Sequence, residues 1–205
     1  MSTHPLTPPR PLPFLLDWIA ANLIGGALGG LLEARLQFLG TLVLVGSTVG
    51  LLQWFFLRRY LRHPVGWAWS MALGWPLGSL LRVAVSDAFT PLLLSLTLKG
   101  WLWEVFWLNF LEMPVTLAVV GLLQALWLPP RQRTVPSWLL ANGIGGAVLG
   151  AVGATVCLYG CDRVTALAGA MTTGMVLGAL SWAGYAIVTG PVLIALLRRS
   201  ADQRS

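Results

Sequence analysis

Apolar residues run along the chain in blocks of roughly 20, which is the length a helix needs to cross the hydrocarbon core of a bilayer. Segments of about ten residues with strictly alternating polarity, typical of a transmembrane β-barrel, do not occur. The blocks predict an all-α, polytopic membrane protein with six transmembrane helices. The predicted spans are residues 14–32, 36–57, 65–81, 106–128, 137–158 and 175–197.

The blocks follow an internal repeat. Three of them open on a tryptophan and carry a glycine seven residues later; the tryptophans are Trp18, Trp67 and Trp138. The other three share a glycine-containing ending, "VGLLQWFFLRR", "VGLLQALWLPPRQR" and "TGPVLIALLRR". Because the first type always precedes the second, the pattern predicts three copies of a helical hairpin. One membrane domain, residues 14–199, would contain hairpins at about 14–59, 65–130 and 137–199.

The copies differ in the number of residues between the opening tryptophan and the glycine of the closing segment. The first hairpin has room only for a tight turn at "EARLQ", residues 33–37. The other two carry extra segments at about 82–104 and 159–174, which are too polar or too glycine-rich for spans and predict interfacial or re-entrant helices. Residues 1–13 are Pro-rich and lack an A-x-A cleavage pattern, so they predict a disordered cytoplasmic lead and no removable signal peptide. Residues 200–205 predict a short cytoplasmic tail.

Charged residues make up only 10% of the 205 residues, against about 25% in a soluble domain. Nine of the thirteen Lys and Arg residues fall on the side that holds both termini: Arg10, Arg58, Arg59, Arg62, Arg131, Arg133, Arg198, Arg199 and Arg204. The other side holds Arg35, Arg82, Lys99 and Arg163. Positive residues in short loops mark the cytoplasmic side, so both termini are predicted there, in a bacterial inner (plasma) or thylakoid membrane. This placement explains the net charge of +6 without a nucleic-acid partner.

Small and aromatic residues predict how the helices pack. Glycines four residues apart, as in Gly26-Gly30 and Gly74-Gly78, let helix backbones approach closely within one chain or between copies in a homo-oligomer. Three similar hairpins also suggest packing around a pseudo-threefold axis. The tryptophans that open the hairpins are predicted to lie in an interfacial aromatic belt.

Four amide side chains fall in the cytoplasmic third of the predicted spans: Asn22, Gln53, Gln124 and Asn142. The two glutamines stand three residues after an aligned glycine, and the two asparagines stand four residues after an aligned tryptophan. The remaining copies have Met71 and Leu193 at these positions. The amides would either line a polar pocket open to the cytoplasm or form interhelical hydrogen bonds.

A carboxyl group lies inside the fourth span. Glu112 follows Asn109 by one turn, and these two form a candidate intramembrane ion or proton site, because ionisable groups at membrane depth are costly. The alternative is an ion pair with Arg82 or Lys99.

Candidate chemistry is otherwise sparse. Cys157 and Cys161 predict a disulfide on the oxidising outer face only if Gly160 breaks the helix, because thiols four residues apart on an intact helix are poorly placed. The only histidines, His4 and His63, lie outside the spans, and no catalytic or metal-binding motif is present. The sequence therefore predicts no enzyme, no metal and no cofactor.

The repeated "GLLQW…LRR" followed by "W…G…G", and the closing "YAIVTGPVLIALLRR", resemble an uncharacterised family of small multispan membrane proteins common in cyanobacteria. That family repeats a GLxQWLxLRR segment, and the resemblance covers Trp18 to Arg199. Ala125 and Leu193 depart from the pattern. The resemblance implies the fold and a membrane location.

Three functions follow as hypotheses. A small helical body without a soluble domain favours a non-catalytic partner or assembly subunit of a membrane complex. The repeat, the amides and Glu112 favour instead a small-solute carrier or substrate-capture subunit. Pigment or lipid binding is the third, weaker alternative.

Overall fold

A computed structural model describes residues 9–37, 40–61, 64–98, 104–128 and 134–202 of the chain. These residues are helical apart from short turns and contain no strand. The helices are α1 (Pro11–Leu36), α2 (Val45–Leu57, entered through a π-helical turn at Gly40–Leu44), α3 (Pro64–Leu98), α4 (Glu104–Ala125), α5 (Thr134–Val156) and α6 (Asp162–Asp202), with a second π-helical turn at Cys157–Cys161 between α5 and α6. The predicted all-helical class is confirmed.

Five stretches are long and apolar enough to cross a bilayer, and the last of them, Val135–Arg199, joins α5 and α6. Their outward surfaces carry many leucines, as lipid-facing helices do. These properties are compatible with insertion into a membrane.

Helix ends differ from the predicted boundaries. α1 begins at Pro11, inside the segment predicted to be disordered, because proline at the first helical positions lacks only an N–H group that would have no partner there. α1 also continues to Leu36, and the chain turns at Gln37, whose φ is +48°. At the other terminus, α6 extends to Asp202 and includes part of the predicted tail.

The six helices form a closed ring. Each contacts the next along the chain, from α1·α2 through α5·α6, and α6 contacts α1. Within the described residues, close backbone approach occurs only between helices that are neighbours in the ring, and helices that are not neighbours meet through their side chains. At the closure, Arg198 Nε donates a hydrogen bond to the Pro9 carbonyl at 3.1 Å, so the two ends of the domain lie together.

Glycines set the spacing between neighbouring helices. A Cβ on Gly25 would meet the Val49 backbone on α2, and one on Gly74 would meet the Val120 backbone on α4. Between α1 and α6, Gly26 and Gly30 lie directly against the backbones of Gly178 and Gly174. In a bilayer, burying apolar side chains between helices gains little, because the lipid is equally apolar. Close packing at small residues therefore holds the helices together.

The segments predicted at about 82–104 and 159–174 are largely helical in the described residues. Residues 82–98 continue α3, and α5 leads through residues 157–161 into α6, which breaks at Gly169 (φ 82°, ψ 167°). Gly153 packs on Ser181, and the Oγ1 atoms of Thr165 and Thr173 lie 2.8 Å apart across the break, so the chain turns back on itself there. Both segments are helical where the structure describes them, and their position relative to a membrane stays a prediction. Residues 99–103 lie outside the described part.

Candidate functional site: a buried tryptophan and amide cluster

The three tryptophans that open the predicted hairpins meet inside the ring. Trp18, Trp67 and Trp138 are completely buried, with ring centroids 6.3 Å apart for the first pair and 5.5 Å apart for the second pair, Trp67 and Trp138. Their predicted place in an interfacial belt is wrong. Each helix is apolar on all sides, so the sequence did not show which side faces inward, and for Trp18 and Trp67 the indole N–H finds an acceptor on a neighbouring helix.

Two of the four predicted amides belong to one hydrogen-bonded chain. Asn22 Nδ2 donates to the Trp18 carbonyl, Gln53 Nε2 donates to Asn22 Oδ1, and Trp67 Nε1 donates to Gln53 Oε1, each at 2.8 Å. Trp18 Nε1 donates to Thr189 Oγ1 at 3.1 Å. All five residues are completely buried, so this polar chain links α6, α1, α2 and α3 in the interior of the ring.

Asn142 belongs to a separate contact. Its Nδ2 donates to the Trp138 carbonyl at 2.9 Å, as Asn22 does to Trp18, and its Oδ1 accepts a 2.7 Å hydrogen bond from the Tyr185 hydroxyl. The sequence pattern did not single out Tyr185 or Thr189, although they stand two turns and one turn, respectively, before Leu193, the position where the third predicted copy lacks its glutamine.

Gln124 has no partner for either amide atom among the described residues, although it is completely buried. Trp138 Nε1 also lacks an acceptor there. Gly50 packs on Met71 between α2 and α3, and Gly121 packs on Asn142 between α4 and α5, so Gln124 lies level with Trp138 as Gln53 does with Trp67. The Gln–Trp hydrogen bond formed at the first interface is therefore not made at the second.

The four amides are thus divided among separate helix contacts. The structure joins Asn22 to Gln53, places Asn142 against Tyr185 and leaves Gln124 unpaired. These amide hydrogen bonds hold neighbouring helices together in a low-dielectric interior.

Glu112 faces α3 near the other end of the ring. It is 6% exposed, and its Oε1 has no hydrogen-bond partner among the described residues; the same holds for Thr116 Oγ1 and Arg82 Nε. Gly74 packs on Val120 and Gly78 on Thr116, so the next turn places Arg82 opposite Glu112, and Arg82 attracts the carboxylate. Asn109 does not join this group, because its Nδ2 donates to the Val105 carbonyl of its own helix at 2.8 Å. Lys99 lies outside the described residues.

A double-mutant cycle tests the pairing of Arg82 with Glu112. Either single substitution, Arg82→Gln or Glu112→Gln, leaves the opposite charge without its counter-charge at the helix interface. The double variant should lose less stability than the two single losses added together, by about 0.5–3 kcal/mol. The free energy of unfolding in mild detergent measures this difference, and strict additivity would contradict the pairing.

The two cysteines are thiols in the structure, on the π-helical turn that follows α5. Gly160 does not break the helix at this point, so the condition on which the disulfide prediction rests is not met by the backbone. Neither Cys157 nor Cys161 joins a metal-binding cluster, because the described residues contain no group of three or more His, Cys, Asp or Glu side chains suited to a metal.

No family model matches this chain, and no curated protein or solved structure shows significant similarity to it.

Proposed function

We propose that the chain is a non-catalytic subunit of a membrane complex, built from three transmembrane hairpins with both termini in the cytoplasm. The neighbour contacts around the ring support six crossings, because α5 and α6 pack against each other along most of their length. The aligned glycines support the repeat, since Gly25 and Gly74 make matching contacts with Val49 and Val120. Clustering of Arg10, Arg58, Arg59, Arg198 and Arg199 at one end supports the orientation.

A packed interior supports a non-catalytic role over the carrier hypothesis. The space inside the ring is occupied by aromatic side chains, with Trp75 and Trp182 5.4 Å apart and Trp182 and Tyr185 5.3 Å apart beyond the tryptophan cluster. A carrier needs convergent polar groups around a central site, whereas three of the four amides here are hydrogen-bonded within helix contacts.

The observation that carries the proposal is the length of α3, which exceeds the thickness of a bilayer core. α3 has 35 residues and is about 52 Å long, while the hydrocarbon core is about 30 Å thick. Pro64, the first residue of α3, lies next to the arginine-rich end. If α3 enters the hydrocarbon core of the bilayer there, it would leave this core near Arg82, and residues 85–98 would project about 20 Å further. Leu92, Leu94 and Leu98 on this projection are 47%, 57% and 84% exposed.

Exposed leucines are expected against lipid but are unfavourable outside it, where apolar patches mark interaction sites. We therefore identify the partner as an integral membrane protein with an apolar surface at or just beyond the outer leaflet, packed on residues 85–98. A second copy of this chain is the competing occupant, and the test below separates the two.

The test places a photo-crosslinking residue at Leu94 or Leu98 in the native membrane, with Leu77, which is 54% exposed on the bilayer-facing part of α3, as the control site. The proposal expects a protein adduct of one defined mass from Leu94 and Leu98 but none from Leu77. Leu94→Glu should abolish the adduct at Leu98 without changing the thermal stability of the chain. Adducts with lipid alone at all three sites would contradict the proposal, and an adduct of twice the chain's mass would identify a homo-oligomer instead.

The orientation is tested separately in a background that lacks the native cysteines. A membrane-impermeant maleimide should label Leu98→Cys from outside intact cells, and should label Arg59→Cys only after the membrane is opened. Labelling of both positions from the same side would contradict the topology.

A further inference from the structure

An apolar groove of about 400 Å³ opens on the outside of the ring between α2 and α3. α2 contributes Ser47, Leu51 and Trp54, and α3 contributes Val65, Ala68, Trp69 and Ala72. The volume lies in the range of about 300–1,000 Å³ that is typical of small-molecule sites. The groove runs along α2 from Ser47 to Trp54, and Trp54 and Val65 lie towards the arginine-rich end of the two helices. In the proposed topology this end faces the leaflet on the side of the termini.

Basic side chains follow one end of this groove. The α2 residues of the lining, 47, 51 and 54, follow helical spacing along one face, and the next residue on that face is Arg58, the C-cap residue of α2. Arg58 is exposed, and its guanidinium lies over the Phe55 ring at 4.1 Å. Arg59 is exposed beside it.

One hydrogen-bond donor within the groove is unused. Trp54 Nε1 is buried and has no acceptor among the described residues, and Trp54 stands one turn before Arg58. An interfacial tryptophan normally pairs its N–H with a polar group at the boundary between the apolar core and the headgroups. The groove therefore combines an apolar wall, a lining tryptophan whose N–H has no acceptor among the described residues, and guanidinium groups at the end of α2.

We propose that this groove binds one anionic phospholipid of the cytoplasmic leaflet. An acyl chain would lie along Leu51, Val65 and Trp69, the Trp54 N–H would donate to an ester carbonyl, and Arg58 and Arg59 would bind the phosphate. Charge complementarity selects the anionic headgroup, because basic side chains close to the membrane surface attract anionic lipid. This inference rests on the membrane topology proposed above, which the labelling experiment tests separately, and does not require the partner protein.

Native mass spectrometry measures the lipid that the full-length protein retains after release from mixed vesicles of phosphatidylcholine and phosphatidylglycerol. We expect one phosphatidylglycerol to stay bound in preference to phosphatidylcholine. Arg58→Gln should weaken retention about fivefold, the factor expected for one surface arginine. Arg199→Gln, which removes an exposed arginine at the same end of α6, should leave retention unchanged.

A second variant tests the apolar wall independently of charge. Ala72→Phe fills the groove and should lower retention at least tenfold, on the order of what blocking a buried apolar chain implies, whereas Leu77→Phe on the same helix outside the groove should have no effect. Thermal unfolding should be the same in all four variants. Equal retention of both lipids, or equal loss in Arg58→Gln and Arg199→Gln, would overturn the proposal, and so would loss in Ala72→Phe of phosphatidylcholine and phosphatidylglycerol alike.

Discussion

Replacing Gly178 by alanine is expected to lower the free energy of unfolding by about 3 kcal/mol, the upper end of what overpacking costs in a tightly packed interface. Its added Cβ would fall on the carbonyl oxygen of Gly26 across the α1–α6 contact. The backbones of α1 and α6 would have to separate to remove this clash, because the glycines that face Gly178 have no side chain that could move. This contact closes the ring, so the substitution acts on the element that joins the first and last helices.

Gly143→Ala provides the matched control. Gly143 is also in the middle of a helix, and a Cβ there meets nothing within 4 Å. It should be neutral or stabilising, by up to about 1 kcal/mol through the higher helix propensity of alanine. Unfolding in a detergent titration, followed by tryptophan fluorescence, measures both variants. Equal stability of the two would show that α1 and α6 are not in backbone contact.

Replacing Gln53 and Gln124 by leucine should have opposite consequences, although the two residues are aligned in the sequence pattern. Gln53→Leu removes one donor and one acceptor, and leaves Asn22 Oδ1 and Trp67 Nε1 unpaired in the interior. Each such group costs about 1–3 kcal/mol, so the loss should be about 2 kcal/mol or more.

Gln124→Leu should be neutral or stabilising. Both of its amide atoms are buried and lack partners among the described residues, so the substitution removes unsatisfied groups and leaves a side chain of similar size. The chain already has Leu193 at the corresponding position of its third copy. The same detergent titration compares the variants, and a loss in Gln124→Leu as large as that in Gln53→Leu would show that Gln124 bonds Trp138 after all.

The role of the cluster follows from its burial. Trp18, Gln53 and Trp67 lie where three predicted hairpins would converge, and they connect helices that are far apart in sequence. The hydrogen bond from Trp18 to Thr189 joins residues 171 positions apart. Hydrogen bonds of this kind fix the relative rotation of helices, which apolar packing against lipid does not. The cluster therefore acts as a scaffold inside the ring of helices.

The pattern of apolar blocks by itself determined that the chain is all-helical, with helices long enough to cross a bilayer. The length of each block can be read from the sequence and compared directly with the thickness of the bilayer core. It also singled out the four amides of the buried contacts, since polar groups inside apolar blocks are rare, but not Tyr185 or Thr189. The threefold repeat, the number of crossings and the orientation remain predictions that the contacts support.

Only the tertiary structure decided which way these residues face and which of them meet. In a bilayer, lipid is as apolar as leucine, so the hydrophobic periodicity that reveals the buried face of a soluble helix is weak. For this reason Trp18, Trp67 and Trp138 were placed at the interface by sequence and are found at the centre. The pairing of Gln53 but not Gln124, and the projection of α3 past Arg82, depend on the register between helices, which no single segment encodes.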